Sequence, residues 1–157
     1  MTLVIQVIKV ILVVGSNGKA ISSSNYTVSY ESGRKYVGKY AVKITFKGNY
    51  SGSKTLYFTI KPKGTSLSKI TAAKKGFKVY WKKQSIQTTG YQIQYSTSSK
   101  FSNAKTVTLT KNSYTSKSIS KLSAKKKYYV RVRTYKKVGS AYYYSSWSKA
   151  KYVTTKK

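Results

Sequence analysis

The residues of this chain that could do chemistry are almost all basic. Its 157 residues include thirty-two Lys and Arg and one carboxylate, Glu31, and there is no His and no Cys. General acid–base pairs, nucleophile–base triads and metal centres are built from the residue types that are missing. The composition therefore predicts a non-enzyme, with no catalytic residue, no metal ligand and no cofactor, that binds or supports other molecules.

Glu31 lies in a Ser-Gly turn close to Arg34 and Lys35. An acid in such a position usually forms a weak ion pair at the surface. We expect that pair here, rather than a lone catalytic acid.

The basic residues are unevenly distributed, and several occur in runs. Residues 65–157 hold twenty-two Lys and Arg and no acid, whereas residues 1–64 hold ten and Glu31. A field of this sign attracts polyanions and raises their encounter rate. Solvated turn lysines are the ordinary interpretation of such runs, and a polyanion-binding surface is the alternative. The candidates for that surface are Lys74, Lys75, Lys82, Lys83, Lys125, Lys126, Lys127, Arg131 and Arg133.

A second group of candidates is aromatic. Aromatic faces can stack on bases or on sugars, although alternating strand residues more often serve a core. Arg131 and Arg133 would share one face of a strand, where stacking on Trp147 would form a structural cation–π brace of roughly 0.5–2 kcal/mol. The aromatic-stacking candidates are Tyr142, Tyr143, Tyr144 and Trp147.

Strands must position these side chains, because no segment shows a sustained helical period. Short stretches of Tyr, Val, Ile and Thr alternate with turns of Gly, Ser and Asn. In residues 77–81, 91–95 and 128–132 every second side chain can face a core, while Lys, Gln and Arg face solvent. The predicted strands are 4–14, 26–30, 38–46, 54–60, 68–72, 76–82, 90–97, 105–110, 115–121, 128–136 and a last one ending near Thr155.

Two segments decide how the chain is organised. The apolar run 1–14 lacks a basic start and a small-residue cleavage site, so it favours a strand over an export segment, and it is too short to span a membrane. Pro62, the only proline, cannot donate to a central ladder, and Gly64 follows it. We therefore predict a module at 1–62, a linker at 63–66 and a second module at 67–157.

The second half resembles a fibronectin type III domain. The residues that carry the likeness are Trp81 in the second strand, the stretch 90–96, Leu122 six residues before Tyr128, the run 128–133 and the stretch 144–150. The resemblance implies a β-sandwich in which the tryptophan is a core residue and Tyr128 a corner residue. It is closest to the type III modules of large secreted or surface proteins of Gram-positive bacteria.

The first half is similar to the short bacterial immunoglobulin-like repeats that often precede such modules. The likeness rests on residues 25–30, 37–46, 47–52 and 56–60. The apolar start indicates a first strand that is altered or truncated. The fold class expected for the whole chain is all-β, with two tandem immunoglobulin-like β-sandwich modules, the second of them fibronectin type III.

These likenesses imply a non-catalytic structural or adhesion module of a bacterial surface or secreted protein, outside the cell or on its surface. Together with the net charge of +31 they predict binding to anionic cell-wall polymers or acidic glycans. The alternative is a nucleic-acid-binding β-module, which needs basic groups and exposed aromatics on one face. We expect no membrane span, and the sequence leaves the oligomeric state open.

Overall fold

The computed structural model describes residues 12–157, whose regular structure is nearly all strand. The chain divides into two compact units, Met1–Ile60 and Lys61–Lys157. The first has β1 (Tyr26–Tyr30), β2 (Gly38–Phe46) and β3 (Ser53–Ile60), and a short 3-10 turn, Ser23–Asn25, precedes β1. The second has β4 (Leu67–Ala73), β5 (Gly76–Trp81), β6 (Gly90–Ser96), β7 (Lys105–Leu109), β8 (Ser116–Ile119), β9 (Lys127–Val138), β10 (Ala141–Tyr144) and β11 (Lys151–Thr154).

The strands of the first unit form one antiparallel sheet in the order β1-β2-β3. Val42 and Ile44 of β2 are buried, while the intervening Lys43 is exposed, as the alternation of a half-buried strand requires. Among the described residues of this unit there is no second sheet, so they do not form the predicted sandwich. Most of the predicted strand 4–14 lies outside the described residues, and Val14 makes an isolated bridge with Ala20.

The second unit is a β-sandwich of two antiparallel sheets. One sheet has the order β4-β5-β8, and the other has the order β10-β9-β6-β7 with β11 also paired to β9. The predicted alternation is confirmed, because Phe77, Val79 and Trp81 of the first sheet pack against Ile93 and Val130 of the second in one hydrophobic core. Fully burying such a side chain contributes about 1.5–3 kcal/mol, so this core is the main source of the unit's stability.

The corner residue predicted from the resemblance is also present. Tyr128 is buried, and its hydroxyl accepts a hydrogen bond from the Ser123 backbone N–H at 3.3 Å. The preceding Leu122 packs against the core. The tyrosine therefore ties the connection between β8 and β9 to the start of β9.

The boundary between the units differs from the predicted linker. It falls between Ile60 and Lys61, and residues of the predicted linker 63–66 are hydrogen bonded within the second unit. The Thr134 hydroxyl donates to the Lys63 carbonyl at 2.7 Å, and the Ser66 carbonyl accepts the Lys82 N–H at 3.0 Å. A segment with these bonds is the entrance to the sandwich, not a mobile spacer.

The last predicted strand, which ends near Thr155, corresponds to β11, and no strand was predicted at β10. β10 and β11 pair with different parts of β9, and residues 145–150 lie between them without strand structure. There the serine side chains complete the pairing, since Ser145 Oγ accepts the Thr134 N–H and Ser148 Oγ accepts the Val132 N–H, both at 3.1 Å. Buried backbone donors need partners, and these hydroxyl groups allow the chain to leave the ladder.

Candidate polyanion-binding surface

The two candidate arginines lie on the outer face of the five-stranded sheet. Val130 and Val132 of β9 point into the core, so the alternating Arg131 and Arg133 point away from it, and both are half-buried. Residues two apart on a strand are separated by about 6.6 Å, which leaves room for a ring between their side chains.

One aromatic ring lies between the two guanidinium groups, and another ring lies on the far side of each of them. The guanidinium carbon of Arg131 lies 4.0 Å from the Phe101 ring centroid and 4.8 Å from that of Trp147. The guanidinium carbon of Arg133 lies 4.3 Å from the Trp147 centroid and 4.1 Å from that of Tyr144. The predicted stacking of both arginines on Trp147 is confirmed. We call Phe101, Arg131, Trp147, Arg133 and Tyr144 the guanidinium ladder.

Neutral amides hold the guanidinium groups in place. Arg131 Nε donates to Gln94 Oε1 at 2.8 Å, and Arg133 Nε and Nη2 donate to Gln92 Oε1 at 3.0 and 2.7 Å. Both glutamines lie on β6, whose register with β9 pairs Gln94 with Arg131 and Gln92 with Arg133. Because the acceptor is an amide and not a carboxylate, the ladder is fixed without its positive charge being neutralised.

Burial also shifts pKa values on this face. Desolvation lowers the pKa of Arg131, and it lowers that of Arg133, where the Tyr144 hydroxyl opposes the shift and the charge of Arg131 adds to it. Desolvation raises the pKa of Tyr135, and Tyr142 and Tyr144 raise it further. Arginine stays protonated in proteins, so the ladder keeps its two charges at neutral pH.

The aromatic-stacking candidates are mostly engaged with other groups. Trp147 has two guanidinium groups over its ring, and Tyr144 has one over its ring and lies 6.4 Å, centroid to centroid, from the stacked Tyr142. Tyr143, Tyr144 and Trp147 are half-buried, whereas Tyr142 is 48% exposed. These contacts favour a structural role for the set over base stacking.

The structure brings together candidate lysines that are far apart in the sequence. The Lys75 carbonyl accepts the Leu122 N–H at 2.9 Å, and the Lys75 N–H donates to the Lys156 carbonyl at 3.1 Å. The Lys126 carbonyl accepts the Thr155 N–H at 3.1 Å. The turn between β4 and β5, the connection between β8 and β9 and the end of the chain therefore meet at one end of the sandwich. The lysines gathered there are Lys74, Lys75, Lys121, Lys125, Lys126 and Lys156, all exposed, and we call them the lysine end.

Lys82 and Lys83 lie away from the lysine end, whereas Lys127 adjoins Lys126 and contacts two rings. Lys82 and Lys83 follow β5, so its six residues separate them from Lys75 by about 20 Å. Lys127 begins β9, with its Nζ 4.0 Å from the ring centroid of the exposed Tyr152 and 5.3 Å from that of Tyr129. The nine candidates thus do not form one continuous site.

Sequence reasoning missed five residues that belong to these arrangements: Phe101, Gln92, Gln94, Lys121 and Lys156. The two glutamines have a signal in the sequence, since they alternate with core residues on a predicted strand. The other three come from loops and the chain end, whose meeting depends on the completed sandwich.

Glu31 makes a contact that its turn does not predict. Its Oε2 accepts the Ala41 backbone N–H at 2.7 Å, which joins the turn to β2. The guanidinium carbon of Arg34 lies 4.6 Å from the Tyr30 ring centroid. The expected ion pair of Glu31 stays a prediction.

Among residues 12–157, no three His, Cys, Asp or Glu side chains are grouped as metal ligands would be.

The sandwich of the second unit defines the class of protein. The family model described as "Fibronectin type III domain" matches residues 60–151, more than half of the chain, so the chain belongs to the fibronectin type III family. Such domains are typically extracellular, non-catalytic modules for structure and adhesion. In the part of the chain that the structure describes, no helix is long and apolar enough to cross a membrane.

Solved structures match this chain at low sequence identity. The chicken CNTN1 FN1-FN3 domains match with a TM-score of 0.53 and 21% identity, over 78% of this chain and 44% of that one. A computer-redesigned beta sandwich protein matches at 0.44 and 23%, over 62% and 95%. The beta-1,2-glucanase from Parabacteroides distasonis matches at 0.49 and 15%, over 75% and 18%. No curated protein matches the chain.

Proposed function

We propose that this chain is a structural and adhesion segment of a Gram-positive bacterial surface or secreted protein, and that its basic surface binds anionic cell-wall polymers. One observation carries the proposal: the second unit is a fibronectin type III domain whose residues 61–157 include twenty-four Lys and Arg and no Asp or Glu. Such domains usually support or adhere rather than catalyse. A unit without any Asp or Glu side chain takes most of its counter-charges from outside.

The same proposal assigns the first unit to the bacterial immunoglobulin-like repeats. Its support is the separate compact unit that ends at Ile60 and the antiparallel β1-β2-β3 sheet within it. This unit carries eight Lys and Arg and Glu31, so it adds to the positive field with less charge than the second unit does. The two modules would act as a basic spacer along an anionic wall.

The test is a binding assay on isolated Gram-positive cell walls. Walls are used intact and after hydrofluoric acid extraction, which removes the phosphodiester polymers, at about 50–200 mM salt, where counterion release is informative. We expect the chain to bind intact walls and to lose most of that binding on extracted walls. Polylysine of similar charge is the control for generic attraction. Equal binding to both preparations would contradict the proposal.

Nucleic-acid binding is the second candidate, and one observation favours it. Tyr142 is 48% exposed, and Lys137 Nζ lies 5.7 Å from its ring centroid, so an aromatic face and a cation adjoin on the outer face of the sheet. Single-stranded DNA is therefore included in the same salt series. DNA binding that persists at the salt concentration where wall binding is lost would make this the better assignment.

A further inference from the structure

We propose that the lysine end is the specific binding site for a phosphodiester polymer of the cell wall. This inference rests on the proposed function and deepens it, because it replaces a diffuse charge with one place on the domain. Three segments that are distant in sequence contribute to the site, and backbone hydrogen bonds at Lys75 and Lys126 hold those segments together.

The backbone of the lysine end supports a role other than solvation. Lys75, Lys121 and Lys125 have φ angles of 45°, 59° and 49°. In this left-handed region Gly and Asn are favoured, and other side chains strain the backbone. Among residues 12–157, half of the six non-glycine residues with positive φ are thus lysines at one end of one unit. Strained conformations cluster at functional sites, where something other than stability keeps the residue.

The charge of the lysine end points the same way. Six ammonium groups from converging segments repel one another, and residues 61–157 contain no Asp or Glu side chain that could pair with them. Repulsion and backbone strain both destabilise the domain at this end. A ligand with closely spaced negative charges would offset the repulsion, and phosphate groups along a flexible polymer have that spacing and can adapt to lysine side chains.

The lysine end favours a polymer of phosphates and sugars or polyols over nucleic acid. Phosphate groups need only cations, whereas base stacking needs an open aromatic ring beside those cations. Tyr152, on β11 three residues before Thr155, is 64% exposed, but the Lys127 ammonium already lies 4.0 Å from its centroid. The site therefore presents six phosphate-binding groups, and the exposed ring beside them already contacts a lysine.

The test replaces the three strained lysines by asparagine in the full chain. K75N/K121N/K125N removes three charges at positions where asparagine is the better backbone residue, so we expect its midpoint of thermal unfolding to stay equal or rise. The matched control, K82N/K83N/K111N, removes three charges at the other end of the sandwich, where Lys82 and Lys83 follow β5 and Lys111 precedes Asn112, whose carbonyl accepts from Tyr91 Oη. Binding to inorganic polyphosphate and to isolated walls is measured as a function of salt.

We expect the lysine-end variant to bind polyphosphate at least about tenfold more weakly at 0.1 M salt, with a smaller salt slope, and the control to lose much less. If the wild type binds walls but the two variants weaken equally, the proposed function stands and the specific site is wrong. If the wild type does not bind the extractable wall polymer, both the proposed function and the specific site are wrong. If the lysine-end variant loses single-stranded DNA more than polyphosphate, the ligand is nucleic acid and the inference is overturned.

Discussion

At the scale of single residues, Tyr91 shows how the core keeps a polar group satisfied. Its side chain is fully buried against Trp81, with ring centroids 5.3 Å apart. Its hydroxyl accepts the Gln84 N–H at 2.8 Å and lies 3.0 Å from the Asn112 carbonyl oxygen, to which it can donate. One phenol thus ties two loops to the middle of β6.

Tyr91→Phe keeps the ring and removes these hydrogen bonds. The Gln84 N–H and the Asn112 carbonyl then lose a partner, which costs about 1–3 kcal/mol for buried groups. We expect the free energy of unfolding to fall by that amount in denaturant titrations with an unchanged slope. Tyr114→Phe, at a residue that is 43% exposed, is the control and should change stability by no more than about 0.5 kcal/mol. Equal effects of the two substitutions would argue against this role of the Tyr91 hydroxyl.

Ser148 gives a second prediction at this scale. Its Oγ accepts the N–H of Val132, a residue with no exposed surface, so Ser148→Ala leaves a buried donor without its partner. We expect a loss of about 1–3 kcal/mol of unfolding free energy. Ser146→Ala is the comparison in the same segment, since Ser146 is exposed and contributes its backbone carbonyl. The explanation fails if Ser146→Ala proves as destabilising as Ser148→Ala.

Part of the guanidinium ladder could be predicted from the sequence. Spacing places Arg131 and Arg133 on one face of a strand, but it does not by itself select Trp147 as their partner. Phe101 could not be predicted in the same way, because it lies in a loop with a φ of 59°. The local sequence of a loop does not indicate which strand its side chains will contact.

At the scale of elements, the ladder braces the interrupted edge of the five-stranded sheet. Residues 145–150 have no strand structure, yet Trp147 joins them to β9 through two arginines. Each cation–π contact contributes about 0.5–2 kcal/mol when partly desolvated. The brace therefore replaces part of the inter-strand backbone hydrogen bonding that β10 and β11 would provide as one strand.

Trp147→Leu keeps an apolar side chain and removes both contacts. We expect it to lower the unfolding free energy by about 1–4 kcal/mol, the sum of two such interactions. Amide hydrogen exchange should also accelerate at residues 145–150 more than in β5, because the brace acts locally. Tyr152→Leu, which removes one exposed cation–π contact with Lys127, should cost about 1 kcal/mol or less. A uniform rise in exchange across the unit would refute a local brace.

The strands themselves were the most predictable elements. The predicted bounds of β1 and β2 agree with the structure, and those of β5 and β6 differ by one residue at one end. Alternating burial dominates in these strands, and alternation is visible in sequence. The break between β10 and β11 could not be predicted from the sequence. There Ser145 and Ser148 continue the pairing with side-chain oxygens, and a pattern of apolar residues does not reveal such bonds.

Over the whole chain there are two compact units, and Pro62 lies two residues beyond the end of the first. The proline is buried in the second unit and does not lie in an exposed linker. The resemblance to fibronectin type III domains predicted the sandwich because its signature residues are core and corner residues. The lysine end was not predictable, since it exists only after three distant segments meet.

Residues 61–157 should fold without the first unit. They contain the complete two-sheet core, including Phe77, Tyr91 and Val132, and the hydrogen bond from Thr134 to Lys63. We expect the isolated segment to unfold in one cooperative thermal transition with a dispersed amide spectrum. A segment starting at residue 67 should be less stable, because it lacks Lys63 and Thr65, whose carbonyl and hydroxyl bond Thr134 and Lys82. Equal stability would show that residues 61–66 do not belong to the domain.

The net charge of +31 predicts that the stability of the fold depends on salt. Few opposite charges are available inside the molecule, so self-repulsion opposes the folded state, and raising salt from about 10 to 150 mM shortens the screening length from about 30 to 8 Å. We expect the midpoint of thermal unfolding to rise with sodium chloride, and to rise further with phosphate at equal ionic strength, because phosphate can also bind the lysine end. In K75N/K121N/K125N the additional effect of phosphate should shrink while that of chloride remains. If phosphate and chloride act equally on the wild type, salt acts by screening alone, and the lysine end has no affinity of its own for the anion.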